Sequence, residues 1–150
     1  EAFAGGIREA GCGVADIGRC DTPAVYFATA RYGFDAGVMI TASHNPSEYN
    51  GLKISGREAV PVGYGTGLER LEAMTAALLA AIPDGAPAPA FTPAPVVGGL
   101  RQLDIRADYL AHLARTVCRL LTLALIVVTF WIFWSFREFW MTVAVGFWAT

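Results

Sequence analysis

Thr41-Ala42-Ser43-His44-Asn45-Pro46, with Tyr49-Asn50-Gly51-Leu52-Lys53 close behind it, is the stretch on which the reading of this chain turns. It follows a short apolar run, Gly37-Val38-Met39-Ile40-Thr41, which reads as a buried strand. A serine is thereby set in a loop just past a strand end, with a histidine and an asparagine beside it and a lysine ten residues on. Such loops are where α/β proteins do chemistry, because the sheet holds the loop still while its side chains face a cleft. By residue type alone, a Ser-His pair is as often an ordinary surface loop.

Working outward, residues 2–10 read as the end of a helix, with Gly11 as a left-handed cap. Val14–Ile17 is the next strand. Thr22 can cap the following helix, with Pro23 at its first position, where a missing N–H costs nothing. That helix runs to about Tyr32 and stops at Gly33. Leu52–Ile54 is a short strand returning from the serine loop. Thr66-Gly67-Leu68-Glu69 fits a capping box. Leu71, Met74 or Thr75, Leu78 and Ile82 then recur at helical spacing, which predicts an amphipathic helix over 67–82 packed on the sheet. Strands alternating with helices imply an α/β fold, a mixed sheet flanked by helices.

Five of the eight prolines fall in residues 83–99, which read as an extended linker closing a domain at 1–99. Residues 100–115 read as an interdomain helix with Leu103, Tyr109, Leu110 and Leu113 apolar. Residues 116–150 are a different material, holding all four tryptophans and five of the nine phenylalanines. Leu120–Phe136 is seventeen residues without a charge, at the short edge of what spans a bilayer. Arg119 and Arg137 flank it, and Trp131, Trp134 and Trp140 suit an interfacial belt. Three readings fit this hydrophobic C-terminal helix: a membrane-spanning or membrane-surface segment, an out-of-frame or chimeric tail, and a core helix. The last is disfavoured because the preceding residues offer too little partner surface.

A chain of 150 residues suffices for one domain and a fragment of another. A formal net charge of −2 argues against a nucleic-acid partner. Cys12, Cys20 and Cys118 have no metal-ligand spacing and read as buried or half-buried free thiols of a reducing, cytoplasmic compartment. Glu1 stands where a methionine would open a complete chain, and no secretory signal precedes the first helix, so a fragment is expected.

The serine loop and its flanks closely resemble the phosphoserine loop of the α-D-phosphohexomutase family, the phosphomannomutases and phosphoglucomutases. Gly13-Val14-Ala15-Asp16-Ile17-Gly18 and Thr22-Pro23-Ala24-Val25-Tyr26 resemble that family's preceding strand and helix start. The likeness covers residues 1–82 well, runs weakly through Asp104-Ile105-Arg106-Ala107-Asp108-Tyr109-Leu110, and stops before residue 116. It implies the family's first domain and intramolecular phosphotransfer on a hexose phosphate through a phosphoserine.

By this resemblance Ser43 is the phosphate carrier, and its phosphate supplies one ligand to Mg²⁺. His44 positions substrate or shuttles a proton, and Lys53 is a general acid/base. Asn45 braces the loop. The family's other metal ligands are aspartates of a DGDGDR-type loop that has no match here; Asp104 and Asp108 do not fit it. Its sugar-reading and phosphate-binding loops are also unmatched. The fragment alone is therefore expected to be inactive, its partners being the hexose phosphate and the missing mutase domains. A membrane or detergent would meet residues 120–136. The other class of function is a non-enzymatic, membrane-associated remnant. Asp16 reads as a loop-organising acceptor, and Arg19 and His112 as surface residues.

Overall fold

The computed structural model describes residues 1–46, 48–82 and 94–148, the side chains of 138–148 excepted. It divides into two compact units, Glu1–Ile105 and Arg106–Thr150. Among the described residues there are four α-helices and four short strands, a mixed α/β composition.

In the first unit, α1 (Ala2–Glu9) ends where Gly11 takes a left-handed φ of 86°. The chain then enters β1 (Val14–Asp16), one residue shorter than the sequence suggests. Helix α2 (Thr22–Arg31) follows. Its cap is Asp21, not Thr22: the Asp21 carboxylate accepts the Ala24 N–H at 3.0 Å. A carboxylate is as good a cap as a hydroxyl and also complements the positive end of the helix. The helix stops at Gly33, whose φ of 66° suits the residue that ends it.

Strands β2 (Gly37–Ile40) and β3 (Leu52–Ser55) form an antiparallel hairpin, with Met39 opposite Lys53 and Gly37 opposite Ser55. The core lies where this hairpin meets α2. Ala24, Val25, Ala28 and Thr29 form one buried helix face, and Gly37 and Ser55 are buried against it. A Cβ at Gly37 would come within 2.0 Å of Thr29 Oγ1 and 3.2 Å of Val25 Cγ1, so helix and strand meet at a distance only glycine allows. The two buried hydroxyls are satisfied locally. Thr29 donates to the Val25 carbonyl at 2.8 Å, and Ser55 donates to the Gly37 carbonyl at 3.3 Å.

The expected single mixed sheet is two separate pairs. Strand β1 pairs in parallel with β4 (Leu100–Gln102), and β2 with β3. The expected helix over 100–115 is corrected at both ends. Leu100–Gln102 are extended because β1 offers them a ladder, and the helix α4 begins at Arg106 and continues to Trp148. Of the proline-rich linker, residues 83–93 lie outside the described residues. Residues 94–99 are tied down: Ala94 N–H donates to the Glu9 carbonyl, and Gly98 exchanges bonds with both the backbone and the side chain of Arg8.

Helix α3 (Leu68–Ala80) also departs from expectation. Gly67 occupies the cap position without a side-chain bond. Thr66 is engaged one turn earlier, accepting the Gly63 N–H at 2.7 Å and donating back to the Gly63 carbonyl. Glu69 takes its own backbone N–H and that of Gly65, which hold its carboxyl below the ordinary range. No residue of α3 is buried, and Leu71, Met74 and Leu78 stand in solvent rather than on a sheet.

The second unit is α4 itself, a helix of 43 residues with every described side chain exposed save the intermediate Tyr109.

Candidate active site

The site is built at the open end of the β2–β3 hairpin. Thr41 N–H donates to the Gly51 carbonyl at 2.9 Å, which fixes the width of the loop at its base. The Thr41 hydroxyl oxygen accepts the Ser43 N–H at 2.9 Å, a side-chain-to-backbone turn two residues long. Asn45 N–H donates to the Ala42 carbonyl at 3.0 Å and Tyr49 N–H to that of Pro46, so successive turns carry the chain round.

Ser43, three residues past the end of β2, has φ = 56°, a left-handed value uncommon for any residue with a Cβ. Such strain persists only where neighbours hold it, and the Thr41 bond does so here. Ser43 and His44 are exposed, and Ser43 Oγ lies 3.2 Å from His44 Nδ1. A hydroxyl and an imidazole at that distance can share a proton.

Lys53 is exposed on the returning strand of the same hairpin. The fold thus brings Ser43 and His44 into contact and places Lys53 on the adjoining strand. For Asn45 the bracing bond is made by its backbone N–H. Sequence reasoning missed Thr41, although a threonine two residues before a turn serine is a recognisable signal. It also missed Thr29, Gly37 and Ser55, whose packing seats β2 and hence the loop; only the tertiary contact reveals them.

Asp16 organises the end of β1. Its carboxylate accepts the Gly18 N–H at 2.8 Å and the Gln102 side-chain amide at 2.9 Å, and these bonds, the backbone one foremost, hold its pKa below the ordinary carboxylate value. Burial, helped by the charges of Asp21 and Asp16, pushes the half-buried Cys20 thiol up. Cys12 and Cys118 are exposed, contrary to the expectation of buried or half-buried thiols, and all three cysteines are free. Among the described residues no three His, Cys, Asp or Glu side chains gather as a metal site. A cavity of about 310 Å³ along β1 and β4, lined by Gly13, Val14, Ala15, Phe34 and Arg101 among others, includes none of Ser43, His44 or Lys53.

The phosphoglucomutase/phosphomannomutase alpha/beta/alpha domain I matches residues 1–78. The chain belongs to that family. It is 38% identical over 114 residues to a phosphomannomutase of Salmonella typhimurium, covering 75% of this chain and 23% of that protein. A phosphomannomutase of Vibrio cholerae is 34% identical over 113 residues, covering 75% and 22%. A protein named phosphohexose mutases from Xanthomonas campestris is 46% identical over 81 residues, 54% of this chain and 18% of that one. The chain thus spans less than a quarter of the length of these relatives. The serine loop of this mutase-family domain falls inside the matched residues, and all of α4 falls outside the domain match.

Proposed function

We propose that residues 1–105 carry the phosphoserine of a phosphohexomutase, an isomerase that moves phosphate between the 1- and 6-hydroxyls of a hexose phosphate. Phospho-Ser43 gives its phosphoryl group to the free sugar hydroxyl. The resulting bisphosphate returns its other phosphoryl group to the Ser43 oxygen and leaves as the isomeric monophosphate. Phosphate on Ser43 carries close to two negative charges at neutral pH. His44, 3.2 Å from the Ser43 oxygen, is the residue that holds or shuttles a proton there. Lys53 serves as general acid/base toward the sugar hydroxyl.

The observation that carries this reading is the held serine. Ser43 is exposed in the loop just past the end of β2, strained to a left-handed φ, with its backbone N–H bound by Thr41. A fixed, exposed oxygen is what in-line transfer requires, since positioning and charge supply most of the catalysis. Phosphomannomutase is the favoured variant, following the names of the relatives above. Mg²⁺ would neutralise the transferring phosphoryl oxygens. The residues described here do not form its site as a set: Ser43 offers one oxygen and no acidic cluster accompanies it. Three free cysteines suit a cytoplasmic setting.

The test is a chimera in which residues 1–78 replace the matching stretch of the Xanthomonas protein. Incubated with a hexose 1,6-bisphosphate and mapped by peptide mass spectrometry, it should carry phosphate on Ser43, and Ser43→Ala should abolish both label and turnover. Phosphate on another residue with Ser43 clean would sink the assignment. A membrane-associated remnant without transfer chemistry predicts no label at all.

A further inference from the structure

We propose that α4 spans a lipid bilayer through Leu120–Phe136. Nothing in this placement depends on transfer chemistry at Ser43. Leu123-Ala124-Leu125-Ile126-Val127-Val128 are six successive residues, and at about 100° per residue they occupy every sector of the helix. Leu120, Leu121, Phe130, Trp131, Ile132, Phe133 and Phe136 extend the same pattern, all exposed at 45% or more. A second protein surface, or a second copy of the chain, covers one stripe and leaves the opposite face wet, which is why such helices carry a polar face. This segment has none. Only a solvent that is apolar in all directions matches it.

Two of the three hydroxyls within the segment agree, Ser135 near its end being the third. The Thr122 hydroxyl donates to the Cys118 carbonyl at 2.8 Å and that of Thr129 to the Leu125 carbonyl at 2.7 Å. Both hydroxyls are thus satisfied inside the helix, as a hydrocarbon environment demands. Charge marks the two ends. Arg115 and Arg119 precede the segment, complementing the anionic phosphates of lipid headgroups, and the adjacent Arg137 and Glu138 close it at the other end. The Arg137 guanidinium lies 4.8 Å from the centre of the Trp134 ring, pairing a cation with an aromatic ring at the level of the interface. Seventeen residues rise about 26 Å, and the long arginine stems reach the remaining distance to the headgroups.

All four tryptophans lie in α4, so tryptophan emission reports on this helix alone. The whole chain, purified in detergent, is reconstituted into vesicles of phosphatidylcholine with added phosphatidylglycerol. Its emission should shift to shorter wavelength, lipids brominated in the acyl chain should quench it, and the chain should float with the vesicles after an alkaline carbonate wash. Val128→Arg, which puts a charge at the middle of the segment, should lower the carbonate-resistant fraction at least roughly tenfold. Release by carbonate, leaving the chain only surface-bound, would overturn the proposal. So would a soluble oligomer whose emission ignores added vesicles, precipitation on detergent removal without vesicle association, or insertion unaffected by Val128→Arg.

Discussion

At the scale of single residues, the proposed chemistry rests on the side chains of Ser43, His44 and Lys53, and the Thr41 hydroxyl accepts the backbone N–H of the first of them. In the chimera, Lys53→Met should cut turnover by roughly 10²–10⁴-fold, the usual loss for an acid/base group, while Ser43 still takes phosphate. A loss below tenfold would make Lys53 an ordinary strand lysine. Asp16 supplies a pH signature. Its folded pKa lies below the unfolded value, so its contribution is present above about pH 3.9 and is lost as the pH falls through that value toward the folded one. A chain ending at Arg115 should therefore lose stability more steeply on acidification, in urea titrations, than its Asp16→Asn variant. Equal slopes would show that the bonds to Gly18 and Gln102 contribute nothing. The candidate residues Ser43, His44 and Lys53 stand out in the sequence because they lie within eleven residues of one another, in an order that a single loop can use. Thr41 was overlooked because its oxygen serves a backbone N–H rather than the substrate, and residue type alone does not announce that.

At the scale of elements, α2 and the hairpin position the loop. Asp21→Ala should cost about 1 kcal/mol through the lost cap. Gly37→Ala should cost more, about 1–3 kcal/mol, because the added methyl has Thr29 in its way. Urea midpoints of the chain ending at Arg115, followed by tyrosine emission, measure both; a neutral Gly37→Ala would contradict the packing described between α2 and β2. The local elements, β2, β3 and most of α2, could be read from short strings because their signals lie inside them. Strand β4 could not. Leu100-Arg101-Gln102 has no apolar run, and its partner β1 is more than eighty residues away in sequence, so only the parallel ladder makes it a strand. The α3 start misled for the opposite reason: Thr66 and Glu69 have cap chemistry, yet each satisfies an N–H further back. The absence of buried residues on α3 was equally hidden, since spacing reports a potential face and not what covers it.

At the scale of the molecule, two units of different character share one chain. Nothing in Glu1–Ile105 supplies metal aspartates or sugar-recognition loops by resemblance, so the purified 150-residue chain should not interconvert hexose phosphates at a useful rate. Normal turnover would contradict this. Burying each large apolar side chain of α4 is worth roughly 1.5–3 kcal/mol, which outweighs a net charge of −2. The whole chain should sediment without detergent, and the chain ending at Arg115 should stay in the supernatant. A soluble monomeric whole chain would mean that α4 folds back on the rest. This mutase-family domain is proposed to present Ser43 as a phosphate carrier. The most direct measurement is the phosphopeptide map of the chimera after exposure to hexose 1,6-bisphosphate. Phosphate on Ser43, lost in Ser43→Ala, is the predicted result; a turning-over chimera with unmodified Ser43 contradicts the account.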